Sequence, residues 1–249
     1  QVTYNVNVDG SSSWTFSKKE YSYDRAEGPV RVGDQEREVR GIPTGIKDLY
    51  FTFEQFEGFL GDTGFSSIFN TKFSAQGLAD LGVNNTYGFK GAVTIGTDVF
   101  GNLSLTEVTT ADDQYIRQGN GQVKPQTVTT RTQSISVDGS TSETNSTITY
   151  VYSTGQSENA LIARTDITAI DESLRGKVAG TQGVLIGAIE GSPTTVVSED
   201  LFGNITNTSI TNTYILTLNG QTKLHTATTQ ITGMTLVDGS TFIGATPTT

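Results

Sequence analysis

A chain of 249 residues with one histidine and no cysteine has little from which to assemble a nucleophilic or metal-assisted active site. His225 lies inside a Thr-rich run, no Gly-x-Ser-x-Gly elbow occurs, and no thiol can replace the serine. Zinc would have to be held by Asp and Glu almost alone, a ligand set it rarely accepts. His225 therefore reads as a surface strand residue. Nucleotide phosphates have no evident cradle either, because neither a Gly-x-Gly-x-x-Gly turn after a strand nor a Gly-Lys-Ser/Thr loop is found.

Carboxylates are the remaining chemistry. Glu54 with Glu57, Asp112 with Asp113, and Glu199 with Asp200 are the close pairs that glycoside hydrolysis would draw on. Neighbours in a strand point to opposite faces, so Asp112 and Asp113 converge only if the chain bulges there; these carboxylates read as solvated charge. The segments Asp98-Val99-Phe100-Gly101-Asn102 and Asp200-Leu201-Phe202-Gly203-Asn204 offer hard oxygens suited to calcium, which makes Asp98, Asn102, Asp200 and Asn204 weak cation candidates. One carboxylate per segment is thin coordination. The competing reading is a turn in which Asp accepts main-chain hydrogen bonds and Gly supplies a positive φ. No cofactor is expected.

The elements that would carry these residues are mostly strands. From Ile205 to Thr249 the chain is dominated by threonine, a β-branched residue that favours pleated, half-wet surfaces. Asn219-Gly220 and Asp238-Gly239 predict two-residue type I′ hairpins. Three ordered matches link this stretch to an earlier one: Asp98–Ser104 with Asp200–Thr206, Asn120–Gln122 with Asn219–Gln221, and Val137–Thr141 with the identical Val237–Thr241. The near-constant offset predicts an internal duplication. The organisation expected is an N-terminal aromatic-rich region (1–87), a first β unit (88–153), a connector (154–183) with a helical turn over Asp171–Arg175 ending at Gly176, and a second β unit (184–249). All four could form one compact domain.

Eight aromatic residues, Tyr50, Phe51, Phe53, Phe56, Phe59, Phe65, Phe69 and Phe73, fall close together, which marks a dense core or an apolar ligand pocket. Phe53, Phe56 and Leu60 fit one short amphipathic helix and Phe65, Phe69 and Phe73 another, with Gly58, Gly61 and Gly64 as interruptions. Val2 to Val8 alternates with polar residues up to Asp9-Gly10 and predicts a strand and hairpin. From Asn204 to Leu218 one parity carries Ile210, Tyr214, Leu216 and Leu218, whereas Lys223–Val237 and Thr127–Ser136 are polar on both faces.

The net charge of −10 leaves no cationic surface for nucleic acid, and no apolar run is long enough for a helix to span a bilayer. A start at Gln1 reads as a secreted or cell-surface chain after leader removal. Asn84, Asn102, Asn145, Asn204 and Asn207 open Asn-x-Ser/Thr triplets. The fold expected is mainly β, an antiparallel sandwich or barrel with long Thr-rich hairpins and a little helix near the N-terminus. The function expected is that of a non-enzymatic extracellular structural protein associating with itself through strand edges, Val2–Val8 and Ser240–Ala245, as a filament, sheath or surface-layer subunit. The alternative is a monomeric β module binding a small apolar ligand or a glycan.

Overall fold

The structure is a computed structural model and describes residues 1–24, 30–32, 35–37, 42–63, 66–83, 88–118 and 121–244. The protein is mainly β. Ten antiparallel strands form one sheet: β1 (Val2–Val6), β2 (Ser12–Ser17), β3 (Ala92–Thr97), β4 (Leu103–Thr109), β5 (Thr127–Ile135), β6 (Thr141–Thr154), β7 (Gln182–Glu199), β8 (Ile205–Leu216), β9 (Thr222–Thr235) and β10 (Thr241–Ile243). Their order across the sheet is their order along the chain, a pure meander. Smaller two-stranded ribbons pair Lys19–Asp24 with Ile42–Asp48, Tyr50–Thr52 with Gly88–Lys90, and Tyr115–Arg117 with Val123–Pro125. A fourth ribbon pairs Val30–Val32 with Gln35–Arg37.

Because strands alternate in direction, the turns after β1, β3, β5, β7 and β9 lie along one end of the sheet. All five are built alike. In each, the N–H of the first residue (Asn7, Asp98, Ser136, Asp200, Leu236) donates to the carbonyl four residues on, and the glycine N–H donates back to the first residue's carbonyl. These are three-residue loops in which a type I turn is followed by one left-handed glycine. The type I′ turns expected at Asn219-Gly220 and Asp238-Gly239 are not formed. A type I′ turn needs positive φ at both central residues, and no described non-glycine residue has one, whereas Gly220 (φ 76°) and Gly239 (φ 83°) do. Keeping Asn and Asp right-handed and giving the left-handed position to glycine avoids the Cβ clash.

The shared geometry extends to Asn7–Ser11, outside the matched segments. The turn chemistry accounts for it, so the likeness of the turns at Asp98 and Asp200 does not by itself establish a duplication. Of the matched Asn-Gly signal at Asn120-Gly121, Asn120 lies outside the described residues.

One face of β1 to β4, here the inner face, carries Trp14, Phe16, Val93, Ile95 and Leu105, all essentially sealed from solvent. Three helices from the β2–β3 connection cover it: α1 (Phe53–Thr63), α2 (Ser66–Lys72) and α3 (Ala75–Asp80). Phe53, Phe56, Leu60, Phe69 and Phe73 point into this layer, as their spacing predicts. Gly58 and Gly61 do not interrupt the first helix; α1 runs through both, since packing of its apolar face outweighs a cost of about 1 kcal/mol per glycine. Phe65 and Gly64 lie outside the described residues. Ser74 caps α3, its Oγ accepting the Gly77 N–H at 3.0 Å.

The β6–β7 connection holds α4 (Glu158–Ile162), capped by Ser157, and α5 (Glu172–Val178), capped by Asp171. The helix predicted to stop at Gly176 continues to Val178, because Leu174 and Val178 both bury in a second cluster with Leu161, Ile167, Ile170, Ile186 and Leu216. This cluster sits at a fork. The β7–β8 ladder runs only from Glu199–Ile205 to Thr194–Ile210 and stops there, although both strands go on. The sheet with its helical cover is sandwich-like in layering, and no helix among the described residues is long and apolar enough to cross a membrane.

Candidate functional site: the edges and faces of an open sheet

The sheet does not close: β1 and β10 are its first and last strands. On β1 the backbone groups pointing outward can be identified. Ser17 N–H donates to the Gln1 carbonyl and Asn7 N–H to the Ser11 carbonyl, so the odd-numbered residues face β2. Val2, Tyr4 and Val6 therefore present their N–H and C=O groups away from the sheet. By the same alternation, starting from the Leu236–Ser240 bond, Thr241 and Ile243 face outward on β10. Neither strand contains Lys or Pro, the residues that commonly guard an edge. Since β10 covers only Gly233–Thr235, the outer side of β9 from Thr222 to Thr232 is also edge, and it carries Lys223 and the exposed His225.

The outer face of the sheet differs sharply from the inner one. One transverse row crosses it as Thr3, Thr15, Thr94, Thr106, Thr132 and Thr144, each residue paired with the next across adjacent strands, and continues through Val196 to Thr208. The neighbouring row is Asn5, Ser13, Gly96, Ser104, Ser134, Ser142, Ser198 and Thr206. Hydroxyls in these rows bond to one another: Thr15 to Thr94 at 2.9 Å, Thr106 to Thr132 at 3.1 Å, Ser134 to Ser142 at 2.7 Å. Those six side chains are half-exposed, whereas Val93 and Ile95 on the other side of β3 are fully buried.

At the other end of the sheet from the five turns, Asp48 is 1% exposed and fully engaged. Its Oδ1 accepts from Lys19 Nζ (2.9 Å) and from the Tyr115 hydroxyl (2.8 Å), its Oδ2 from the Thr110 N–H (2.9 Å). Gly91, at φ 81°, lies so close that a Cβ there would stand 2.8 Å from Oδ2. Desolvation would lower the Lys19 pKa, but the Tyr115 and Asp48 contacts outweigh it and raise it; desolvation raises that of Tyr115. Lys19 stays an ammonium and Tyr115 a neutral phenol, and the trio ties the Lys19–Asp48 ribbon to the β4–β5 connection.

The cation candidates are held within their own turns. Asp98 Oδ1 accepts the Phe100 and Asn102 N–H groups and Oδ2 the Asn102 amide; Asp200 repeats this with Phe202 and Asn204. The remaining amide oxygens accept the N–H of the next turn, Val137 for Asn102 (2.9 Å) and Val237 for Asn204 (3.1 Å). At Asp98, desolvation is the largest single influence and raises the pKa, but these donors together outweigh it, and at Asp200 the Asn204 amide leads them; both carboxyls lie below the usual range. Phe100 and Phe202 are both exposed at the tips.

The other carboxylate pairs are all exposed. Asp112 and Asp113 lie in a single 3-10 turn, not in a strand, and Asp112 faces Lys47 and Lys90 at 3.4 and 3.5 Å. Glu54 and Glu57 are exposed on α1. Glu199 ends β7 beside Glu143 and Asp80 in a groove of about 270 Å³, whereas Asp200 begins the turn. Asn145 and Asn207 are half-exposed on strands, and Asn84 lies outside the described residues. Of the aromatic belt, Phe51, Phe53, Phe56, Phe69 and Phe73 are core: Phe56 meets Phe16 in a tilted contact (4.2 Å between ring centres) and Phe51 edge-on (4.3 Å), whereas Tyr50 is exposed.

Periodicity had not marked Glu190. It stands at the fork, where its carboxylate takes four donors: the Asn212 N–H and amide, and the Thr194 N–H and hydroxyl. A cavity of about 470 Å³ opens beside it. Comparison with protein-family models, curated proteins and solved structures finds no match to the chain.

Proposed function

We propose that the chain is an extracellular structural subunit that associates with its own copies through the edges of its sheet, as in a filament, sheath or surface layer. The observation that carries this reading is the pair of unguarded edges on an open meander. β10 runs antiparallel to β9, and a following copy's β1 can run antiparallel to β10, so that the outward groups of Thr241 and Ile243 meet those of Val2, Tyr4 and Val6. Such a contact is heterologous and does not close, which makes it a route to polymers. The cross-strand threonine pairs support the same role, because they stiffen long strands without requiring a second layer.

The test is a proline at Val6. Its N–H points away from β2, so Val6→Pro removes an edge donor without breaking the β1–β2 ladder. Electron microscopy of the full chain should show ordered polymers for the natural sequence and none for V6P, with unchanged far-UV circular dichroism. A natural chain that stays monomeric at every concentration, or a V6P chain that assembles as well, overturns the reading.

A further inference from the structure

We infer that the outer face of β1 to β8 is a second, separate contact surface, and that its occupant is the same face of a second copy. The chain carries 16 basic and 26 acidic residues, yet none occupies the three outward rows of these strands nearest the five turns; the outward carboxylate farther along β7, Glu190, lies beyond them at the fork, where four donors hold it. The inner face of the same strands carries Glu107, Arg131, Glu143 and Glu199. For a molecule of net charge −10, two copies of this face meet without opposing carboxylates.

Extent and chemistry agree. Eight strands about 4.8 Å apart, with three outward residues at about 6.7 Å intervals, cover roughly 800 Å², the area each partner of a stable complex commonly contributes. The side chains are small, which lets two sheets approach to the usual spacing of about 10 Å. Removing hydroxyls from water is costly when they lose their partners. Here Thr15–Thr94, Thr106–Thr132 and Ser134–Ser142 already bond within the face, so pairing leaves few donors stranded. The contact is isologous and stops at two copies, unlike the edge contact.

Sedimentation of the full chain carrying V6P isolates this contact from the edges. The expected species is a dimer whose dissociation constant moves less than about threefold between low and high salt, since no charges are screened. Adding Thr106→Lys with Thr132→Lys should shift it to monomer with a dissociation constant raised more than about a hundredfold, whereas Thr129→Lys with Thr147→Lys on the other face should leave the dimer intact. A monomeric V6P chain overturns the inference, as does a dimer with strong salt dependence or one that survives T106K/T132K. Failure of the edge reading shows separately, as the absence of polymers from the natural chain while the dimer persists.

Discussion

The carboxylate of Glu190 accepts the Asn212 main-chain N–H at 2.6 Å, two residues past Ile210, where the β7–β8 ladder has ended at Thr194–Ile210. A strand that has lost its neighbour exposes an unpaired N–H, and here a side chain from the departing strand satisfies it. The same carboxylate holds the Asn212 amide and the Thr194 hydroxyl, both at 2.7 Å, so one residue closes the fork into which the α4–α5 segment packs.

Replacing Glu190 with Ala strands these donors in a half-buried site. Urea denaturation should show a loss of about 2 kcal/mol, the usual consequence of leaving such groups unpaired. A loss within experimental error would mean that water substitutes fully for the carboxylate.

Gly91 and Asp48 make a sharper prediction. A Cβ at Gly91 would meet the Val108 carbonyl at 2.5 Å as well as Asp48, at a φ that disfavours L side chains. Gly91→Ala should therefore lower stability by at least about 2 kcal/mol. Asp48→Ala, which leaves Lys19 and Tyr115 facing each other without the carboxylate, should cost about 3 kcal/mol. Thermal unfolding monitored by circular dichroism tests both, and an unchanged midpoint for either would refute the tie between the ribbon and the sheet.

Acid should weaken the fold in a defined window. The Arg131 guanidinium, at 2.9 Å and aided by the Asn145 amide, holds the Glu143 carboxyl at about 2, below its ordinary 4.5. A depressed carboxyl contributes its full stability above the ordinary value and loses it as the pH falls through the depressed one. The turn carboxyls Asp138 and Asp238, held by Ser140 and Ser240, are lowered too and act in the same direction. The melting temperature should fall progressively between pH 4.5 and about 2, and more shallowly in Glu143→Gln. A melting temperature that rises over that interval would contradict the assignment.

The two asparagine buttresses should behave alike. Asn102→Ala and Asn204→Ala each remove a bond to the neighbouring turn and one to the turn's own aspartate, and each should lose about 1 kcal/mol. A loss confined to one of them would show that the turns differ in ways their hydrogen bonds do not reveal.

Much of this was legible in the residues. Glycine after Asp, Asn or Phe marks where strands reverse, and threonine-rich runs mark the strands, because both signals are local properties of backbone and Cβ. The aromatic spacing of Phe53, Phe56 and Leu60 marks the face of α1 that buries. What periodicity could not supply was the type of turn, since Asp-Gly fits both a type I′ loop and a type I loop with a left-handed glycine, and the twist of the paired strands selects between them. Nor could it reveal that α1 continues through two glycines.

The sequence by itself determined that the protein is mainly β, with Thr-rich hairpins and a short helical, aromatic stretch near its start, because strand, turn and helix signals depend on neighbours a few residues away. Only the tertiary structure decided which residues share a face or an edge. Thr3 and Thr144 join one uncharged row, and Glu190 reaches Asn212, through register between strands distant in the chain. A one-residue change in that register would send every side chain of a strand to the opposite face, so the character of each surface belongs to the pairing and not to any strand alone.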